Sequence, residues 1–276
     1  MILKLHPKRR FKAPVYAECI SPDNLNGLSE AEASRLEVWE GNKRRRLGGL
    51  FKIELVEESP SSDSDGPTIM LSGDLTKVRR IGAGMSRGCI VVEGNVGMHL
   101  GESMKGGTIK VTGNAESWVG CMMEGGLIEV EGSAGDYVGA PYRGSRDGMN
   151  GGTIIIHGDA GSEVGCFMRG GLIKVQGNVG QFVGIHMAGG TILVRGDCGG
   201  RAGAEMTDGK IILCGHVPSV LPTFTIDDLK SNAKVDGEKI KGPFYRFIGD
   251  VAEGGKGRLF VSKPRNPHLA FYEKYL

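Results

Sequence analysis

Charge imbalance is almost absent from this chain of 276 residues: 34 Lys and Arg stand against 32 Asp and Glu, a formal net charge of +2. No global field therefore argues for nucleic acid or a membrane surface as partner. Apolar runs approaching about 18 residues are missing, so no transmembrane helix is expected. The stretch Met1 to Pro14 is basic but lacks the apolar core and small-residue cleavage site of a secretory signal, and cytoplasm is the expected compartment. No pair among Cys19, Cys89, Cys121, Cys166, Cys198 and Cys214 has C-x-x-C spacing, which argues against iron–sulfur or structural zinc. Small side chains in a reducing compartment are their expected role.

Catalytic motifs are missing as well. The chain holds no Gly-x-Ser-x-Gly elbow, no H-E-x-x-H and no Walker sequence. Its His residues (His6, His99, His157, His186, His216, His268) are scattered, and a metal site built from them is not expected. Fragments such as Gly82-Ala-Gly84 punctuate turns and open no helix, so they carry no dinucleotide signal. The expectation is a chain with no catalytic, cofactor-binding or metal-ligating residues of its own.

What is present is a repeat. Met85, Met104, Met123, Met149, Met168, Met187 and Met206 are each followed nine residues later by Gly94, Gly113, Gly132, Gly158, Gly177, Gly196 and Gly215. The period is 19, broken once by seven extra residues before Met149. So short a period means a solenoid, in which one repeat cannot bury its apolar face alone. Four residues before each terminal Gly stands an Ile (Ile90, Ile109, Ile128, Ile154, Ile173, Ile192, Ile211), and two before it Val92, Val111, Val130, Ile156, Val175, Val194 and Leu213. Alternation with polar residues such as Lys110, Glu129 and Lys174 has the period of a half-buried strand. A second apolar ladder runs through Ile81, Leu100, Val119, Val138, Val164, Val183 and Ala202.

Gly101, Gly107 and Gly113 fall six apart, as do their counterparts in other repeats, and supply corners for three short strands. The expected fold is all-β: a right-handed, single-stranded parallel β-helix of about seven 19-residue coils with non-repeating capping ends. At about 4.8 Å per coil, seven would span roughly 34 Å. The expected division is a lead-in or cap over 1–67, the β-helix over 68–216, and a cap and tail over 217–276. Ser29-Glu-Ala-Glu reads as a capped short helix. Leu36 to Leu55 reads as strand-rich, and Pro60 to Pro67 as a solvated loop. A helix is expected around Ile226 to Ala233, with strand-like alternation returning over Phe244 to Phe260. The ends cover coils that would otherwise be bare edges.

Three irregularities are candidate interaction features. The insertion Pro141-Tyr-Arg-Gly-Ser-Arg-Asp147 extrudes a loop bearing Tyr142, Arg143 and Arg146, and insertions in repeat proteins often mark a binding face. Lys43-Arg-Arg-Arg46 reads as a solvated turn, with an anion site as the alternative. The outward slot between the two strand ladders is apolar at Val91, Ile155, Leu193 and Ile212, so that part of the wall is expected to be covered by a cap or another subunit.

The coil Gly165-x-x-Met168-x-Gly-Gly-x-Ile-x-Val-x-Gly177 resembles the Gly-rich β-helix repeat at the C-terminus of the glutamate synthase large subunit. The flanks resemble another relative more closely. Pro22-Asp, Gly27-Leu, Val38-Trp-x-Gly-Asn42, Phe247-x-Gly-Asp-x-Ala-Glu253, Gly257 and the loop ending in Gly148-Met-x-Gly-Gly-Thr-Ile154 look like the C subunit of formylmethanofuran dehydrogenase.

That resemblance implies a non-catalytic scaffold subunit in an oxidoreductase complex of methanogenesis and one-carbon metabolism. Such complexes reduce CO2 to formate at a molybdenum or tungsten pterin, then condense it with methanofuran at a zinc site. The zinc amidohydrolase-like subunit, the pterin subunit and iron–sulfur subunits are the implied partners and carry the cofactors. A related C subunit in methylotrophic bacteria serves a formyltransferase/hydrolase complex and is the alternative. A glutamate-synthase-type β-helix subunit and a free-standing β-helix enzyme are the remaining readings. The outward wall lacks the clustered Asp and basic residues of solenoid lyases, and the repeat is not the six-residue pattern of acyltransferases.

Overall fold

The computed structural model describes residues 2–56 and 66–276; most of the stretch read as a solvated loop lies outside them. In chain order come strands β1 (Ile2–Pro7) and β2 (Val15–Tyr16), helices α1 (Pro22–Leu25) and α2 (Glu30–Arg35), strands β3 (Glu37–Glu40) and β4 (Lys43–Arg46), helix α3 (Leu47–Leu50) and strands β5 (Phe51–Val56), β6 (Thr68–Ser72) and β7 (Val78–Arg79). The repeats contribute β8 (Cys89–Glu93), β9 (Thr108–Val111), β10 (Leu127–Val130), β11 (Thr153–Ile156), β12 (Leu172–Val175), β13 (Ala188–Val194) and β14 (Asp208–Leu213). Strands β15 (Thr225–Val235), β16 (Glu238–Gly249) and β17 (Gly257–Ser262) follow, then a 3-10 segment, Pro267–Tyr275. The protein is mostly β, with few and short helices.

The repeat strands stack in parallel in one 13-stranded sheet, and their register follows the sequence period. Ile90 lies beside Ile109, Ile109 beside Ile128, and Val92 beside Val111. Across the insertion Ile128 meets Ile154, so the seven extra residues leave the ladder in phase. A second line of parallel contacts links Leu75, Val96, Ala115, Ala134, Ala160, Val179 and Cys198. The Ile and Val ladders are buried, as are all seven repeat Met residues. Burying one such side chain stabilises by about 1.5–3 kcal/mol relative to leaving it exposed.

Met and Gly recur together for a steric reason. A Cβ placed on Gly126 would fall 2.6 Å from Met104 Cε, and one on Gly107 would fall 2.7 Å from Met85 Cε. Each methionine tip thus fills the space beneath a glycine of the following repeat. Met206, the last of the series, is closed by Gly257 of β17.

The parallel ladder runs past the repeats at both ends. Leu3 and Leu5 of β1 lie beside Ile69 and Leu71, and Leu259 and Val261 of β17 beside Ile211 and Leu213. Antiparallel β5 follows β1 at one edge, and the β15–β16 hairpin follows β17 at the other. Ser29 caps α2 through a full capping box with Glu32, as its sequence predicts.

Two expectations are corrected. The segment Ile226 to Ala233 is strand, not helix: it belongs to β15 and pairs antiparallel with β16. The reason lies in Asp236-Gly237, whose positive φ values of 48° and 79° build a two-residue hairpin turn. Lys43 to Arg46 is strand β4, at the edge of a four-stranded sheet of order β4-β3-β2-β7, rather than a turn.

Candidate functional site

The inserted loop folds back onto the stack and closes over a buried carboxylate. Glu102 is 4 % exposed, a position where an unpaired charge would cost several kcal/mol. Its compensation comes from two directions. Arg80 Nη2 donates to Glu102 Oε1 at 2.8 Å, and Tyr142 Oη, from the insertion, donates to Oε2 at 2.7 Å. His99 Nδ1 lies 3.4 Å from the same oxygen without the alignment of a hydrogen bond. Arg80 also bridges outward to Glu18, joining the N-terminal segment to the first repeats.

Above the carboxylate runs an aromatic column. Tyr142 stacks on His99 at 5.1 Å, His99 on Trp118 at 5.2 Å, and Trp118 on Tyr137 at 4.5 Å. His99, Trp118 and Tyr137 occupy one repeat slot, two residues before a corner Gly, and adopt left-handed φ of 63°, 64° and 66°. That conformation turns successive side chains outward in register, so the period that builds the core also builds the column. Arg80, Glu163, Phe182 and Arg201 continue the slot. A neighbouring slot stacks Phe167 on His186 at 4.3 Å, with His186 Nδ1 3.3 Å from Glu205 Oε2.

The environment shifts the titrating groups. Burial pushes the Tyr142 phenol well above its ordinary range, and the Glu102 carboxylate adds to the effect. Burial also holds His99 below the usual histidine range, with Glu102 opposing and Arg80 and Arg79 reinforcing. The thiols of Cys121 and Cys166 are pushed up to about 12, chiefly by burial, which removes them as nucleophiles at neutral pH. Between column and loop lies a cavity of about 130 Å³, bounded by Trp118, Tyr137, Tyr142, Arg143, Glu163 and Phe167 among others.

Of the residues singled out in the sequence, Tyr142 and Arg143 come together at this cavity. Arg146 is exposed and contributes its carbonyl, which accepts from Arg169 Nη2 at 3.2 Å. Asp147 pairs with the same arginine at 2.9 Å, so the loop is tied down at both ends. The outward aliphatics divide. Leu193 and Ile212 are 1 % and 0 % exposed beneath the chain's own hairpin, against Ala233, Val235, Ile240 and Phe244. Their cover is the C-terminal hairpin, so a partner could reach them only by displacing it. Val91 and Ile155 stay half-buried and fall outside that cluster.

The sequence reading missed Glu102 and the column. A partial signal was available: the slot two residues before each repeat Met holds Ala83, Cys121, Asp147, Cys166, Ile185 and Ala204, mostly small or apolar, so the carboxylate of Glu102 there is a candidate buried charge. It also left ungrouped Glu129, Glu131 and His157, whose ligand atoms lie within 4.8 Å of one another on the outward wall. His157 Nε2 there is 3.0 Å from Glu129 Oε1.

These features define a repeat-built β protein whose irregularities, the insertion above all, are held by specific polar contacts. No family model matches the chain. The C subunit of tungsten-containing formylmethanofuran dehydrogenase 2 from Methanothermobacter thermautotrophicus is 55 % identical over 266 residues, 96 % of this chain and 97 % of that protein. Its counterpart in Methanococcus maripaludis is 54 % identical over 274 residues, 97 % of this chain and 98 % of that protein. Similarity to the C subunit of molybdenum-containing formylmethanofuran dehydrogenase 1 from M. thermautotrophicus is shorter, 44 % over 97 residues. That match spans 35 % of this chain and 23 % of that relative. A chain in the crystal structure of the formyltransferase/hydrolase complex from Methylorubrum extorquens, in complex with methylofuran, superposes with a TM-score of 0.81. It is 34 % identical, covering 94 % of this chain and 99 % of that one. The chain belongs to the family of formylmethanofuran dehydrogenase C subunits. Among the described residues no helix is long and apolar enough to cross a membrane.

Proposed function

We propose that this protein is a non-catalytic scaffold subunit of a formylmethanofuran dehydrogenase complex. The carrying observation is the near full-length similarity, 55 % over 96 % of the chain, to a subunit that bears that name. In this reading the repeats wind as a right-handed parallel β-helix of about seven coils over 68–216, and the stretches 1–67 and 217–276 act as caps. A stack with fixed spacing keeps docked proteins in register, because its ladders resist bending.

The partners are the zinc amidohydrolase-like subunit and the molybdenum or tungsten pterin subunit, with iron–sulfur proteins delivering electrons. Those partners carry the cofactors, and the assembly is cytoplasmic. Tyr142, Arg143 and Arg146, with Val91 and Ile155 on the outward wall, are the proposed contact residues. Support for the loop comes from its anchoring: Glu102 and Arg169 hold its two ends, so it presents Arg143 and Arg146 in a defined shape. Preorganisation of that kind lowers the ordering cost of docking.

The bacterial formyltransferase/hydrolase complex is the second reading, favoured by the structural likeness to its chain. Purifying the native protein and identifying what accompanies it separates the two. Pterin and iron–sulfur subunits are expected with the dehydrogenase; their absence beside an amidohydrolase-like partner would favour the second reading. A lone species with its own activity would end the scaffold proposal. Reversing charge at Arg143→Glu and Arg146→Glu is expected to weaken assembly, and unchanged assembly would remove the loop from the contact surface.

A further inference from the structure

The four-stranded sheet β4-β3-β2-β7 presents one continuous cross-strand row: Arg44, Trp39, Tyr16, Arg79. Val15 and Val38, the neighbours of Tyr16 and Trp39 along their strands, are buried, so the row points outward. Trp39 and Tyr16 are 45 % and 37 % exposed, unusual for adjacent large aromatics without a partner. Each carries an arginine on its face: Arg44 lies 5.6 Å from the Trp39 ring and Arg79 lies 5.5 Å from the Tyr16 ring. Arg79 Nη1 also lies 3.1 Å from the Tyr16 hydroxyl, which accepts its hydrogen bond. These contacts fix the planes of four side chains in advance.

A second feature adjoins the row and shares Arg44 with it. Arg44, Arg45, Arg46 and Glu37 bound an open concavity of about 340 Å³. The four strands hold Lys43, Arg44, Arg45, Arg46 and Arg79 against only Glu37 and Glu40. Glu40 is engaged by Arg9 at 2.7 Å and by Arg45 at 3.5 Å, and Glu37 pairs with Arg44 at 3.5 Å, which leaves a positive excess. The surface is therefore locally cationic on a chain whose net charge is only +2.

We propose that this row and the concavity beside it dock an acidic polypeptide segment of a partner subunit. One of its carboxylates would enter the arginine-lined concavity, and an aromatic or proline side chain would stack over Trp39 and Tyr16. Guanidinium groups suit carboxylates in bidentate geometry, and the exposed aromatics supply apolar area at low entropy cost. The proposal rests on the scaffold reading but concerns residues other than those of the inserted loop.

The test uses tagged full-length chain produced together with its partner subunits. Three versions are compared with wild type: Trp39→Ser, Trp39→Tyr, and the double variant Lys43→Glu, Arg44→Glu. Thermal unfolding checks that each is folded. Recovery of partner subunits is expected to fall about tenfold or more for Trp39→Ser and the double variant, and to be largely restored in Trp39→Tyr. A zero-length carbodiimide coupling in the wild-type complex is expected to join Lys43 to an Asp or Glu of a partner.

Unchanged recovery in folded variants, while the loop variants reduce it, would overturn this surface and leave the scaffold reading standing. Wild type recovered without partners would overturn both. Patch-dependent retention of an oligonucleotide, with partner recovery unaffected, would overturn the proposal in favour of nucleic acid.

Discussion

The phenol of Tyr142 donates to the carboxylate of Glu102 at 2.7 Å, across 40 residues of sequence. One hydrogen bond thus ties the single interruption of the repeat to a buried carboxylate of the regular repeats. It also places Tyr142 at the end of the column formed by His99, Trp118 and Tyr137.

Removing that donor leaves Glu102 with Arg80 as its remaining hydrogen-bond partner. Tyr142→Phe retains the ring stack and is expected to destabilise the protein by about 2 kcal/mol, the scale for a hydrogen bond to a buried charge. Denaturant unfolding measures it; an unchanged midpoint would mean that the bond contributes nothing.

His99 predicts an acid-side effect with a definite sign. Its folded pKa is depressed by burial, so its contribution to stability is complete above about pH 6.5, the ordinary value. It is lost progressively as pH falls below that value. Stability of the wild type between pH 7 and pH 5 is expected to fall more steeply than that of His99→Phe, which keeps the stack without the titrating nitrogen. Parallel curves for the two proteins would contradict this.

Two glycines with nearly the same backbone separate sterics from conformation. At Gly101, φ is +64° and an added Cβ would meet Ile128 Cδ1 at 2.5 Å; at Gly84, φ is +65° and nothing lies within 4 Å. Gly84→Ala is expected to cost about 1 kcal/mol, from the left-handed backbone alone. Gly101→Ala adds overpacking and is expected to cost about 2–4 kcal/mol. Equal losses in the two variants would argue against a crowded corner at Gly101.

Leu193→Asp would place a charge beneath the β15–β16 hairpin, where Leu193 is 1 % exposed. The hairpin is expected to detach while the repeats stay folded, because the ladder residues Ile192 and Val194 face the other side. Limited proteolysis should then cut within 225–249 in the variant and spare that stretch in the wild type. Equal resistance would show that the hairpin is held by other contacts.

The ladders were legible because period and burial coincide: Ile at one fixed slot, Val at another and Met at a third need no tertiary information to align. The same regularity hid the polar column. His99, Trp118 and Tyr137 share a slot but not a residue type, so no single-letter pattern marks them. Glu102 stands in a slot that is mostly small or apolar, but Asp147 shares it and is exposed, so the slot alone does not mark burial.

The ends were harder because their pairing is non-local. Asp227, Asp228 and Lys230 look like a polar helix surface until Asp236-Gly237 is read as a hairpin turn, which sets a period of two. Lys43 to Arg46 reads as a solvated turn because nothing in that stretch reveals the strand beside it, Glu37 to Glu40. Leu193 and Ile212 read as covered, yet nothing in the sequence says by what.

The methionine tip beneath the next glycine has a further consequence. Each repeat supplies the plug for its successor and the socket for its predecessor, and Gly257 offers the same socket to Met206 that a further repeat would. A whole unit could therefore be added or lost without redesigning either terminus, shifting one end by about 4.8 Å. Half a unit could not, since plug and socket would fall out of phase. The distance between the two ends of the molecule is in this sense inherited in whole steps, as the marks on a ruler are.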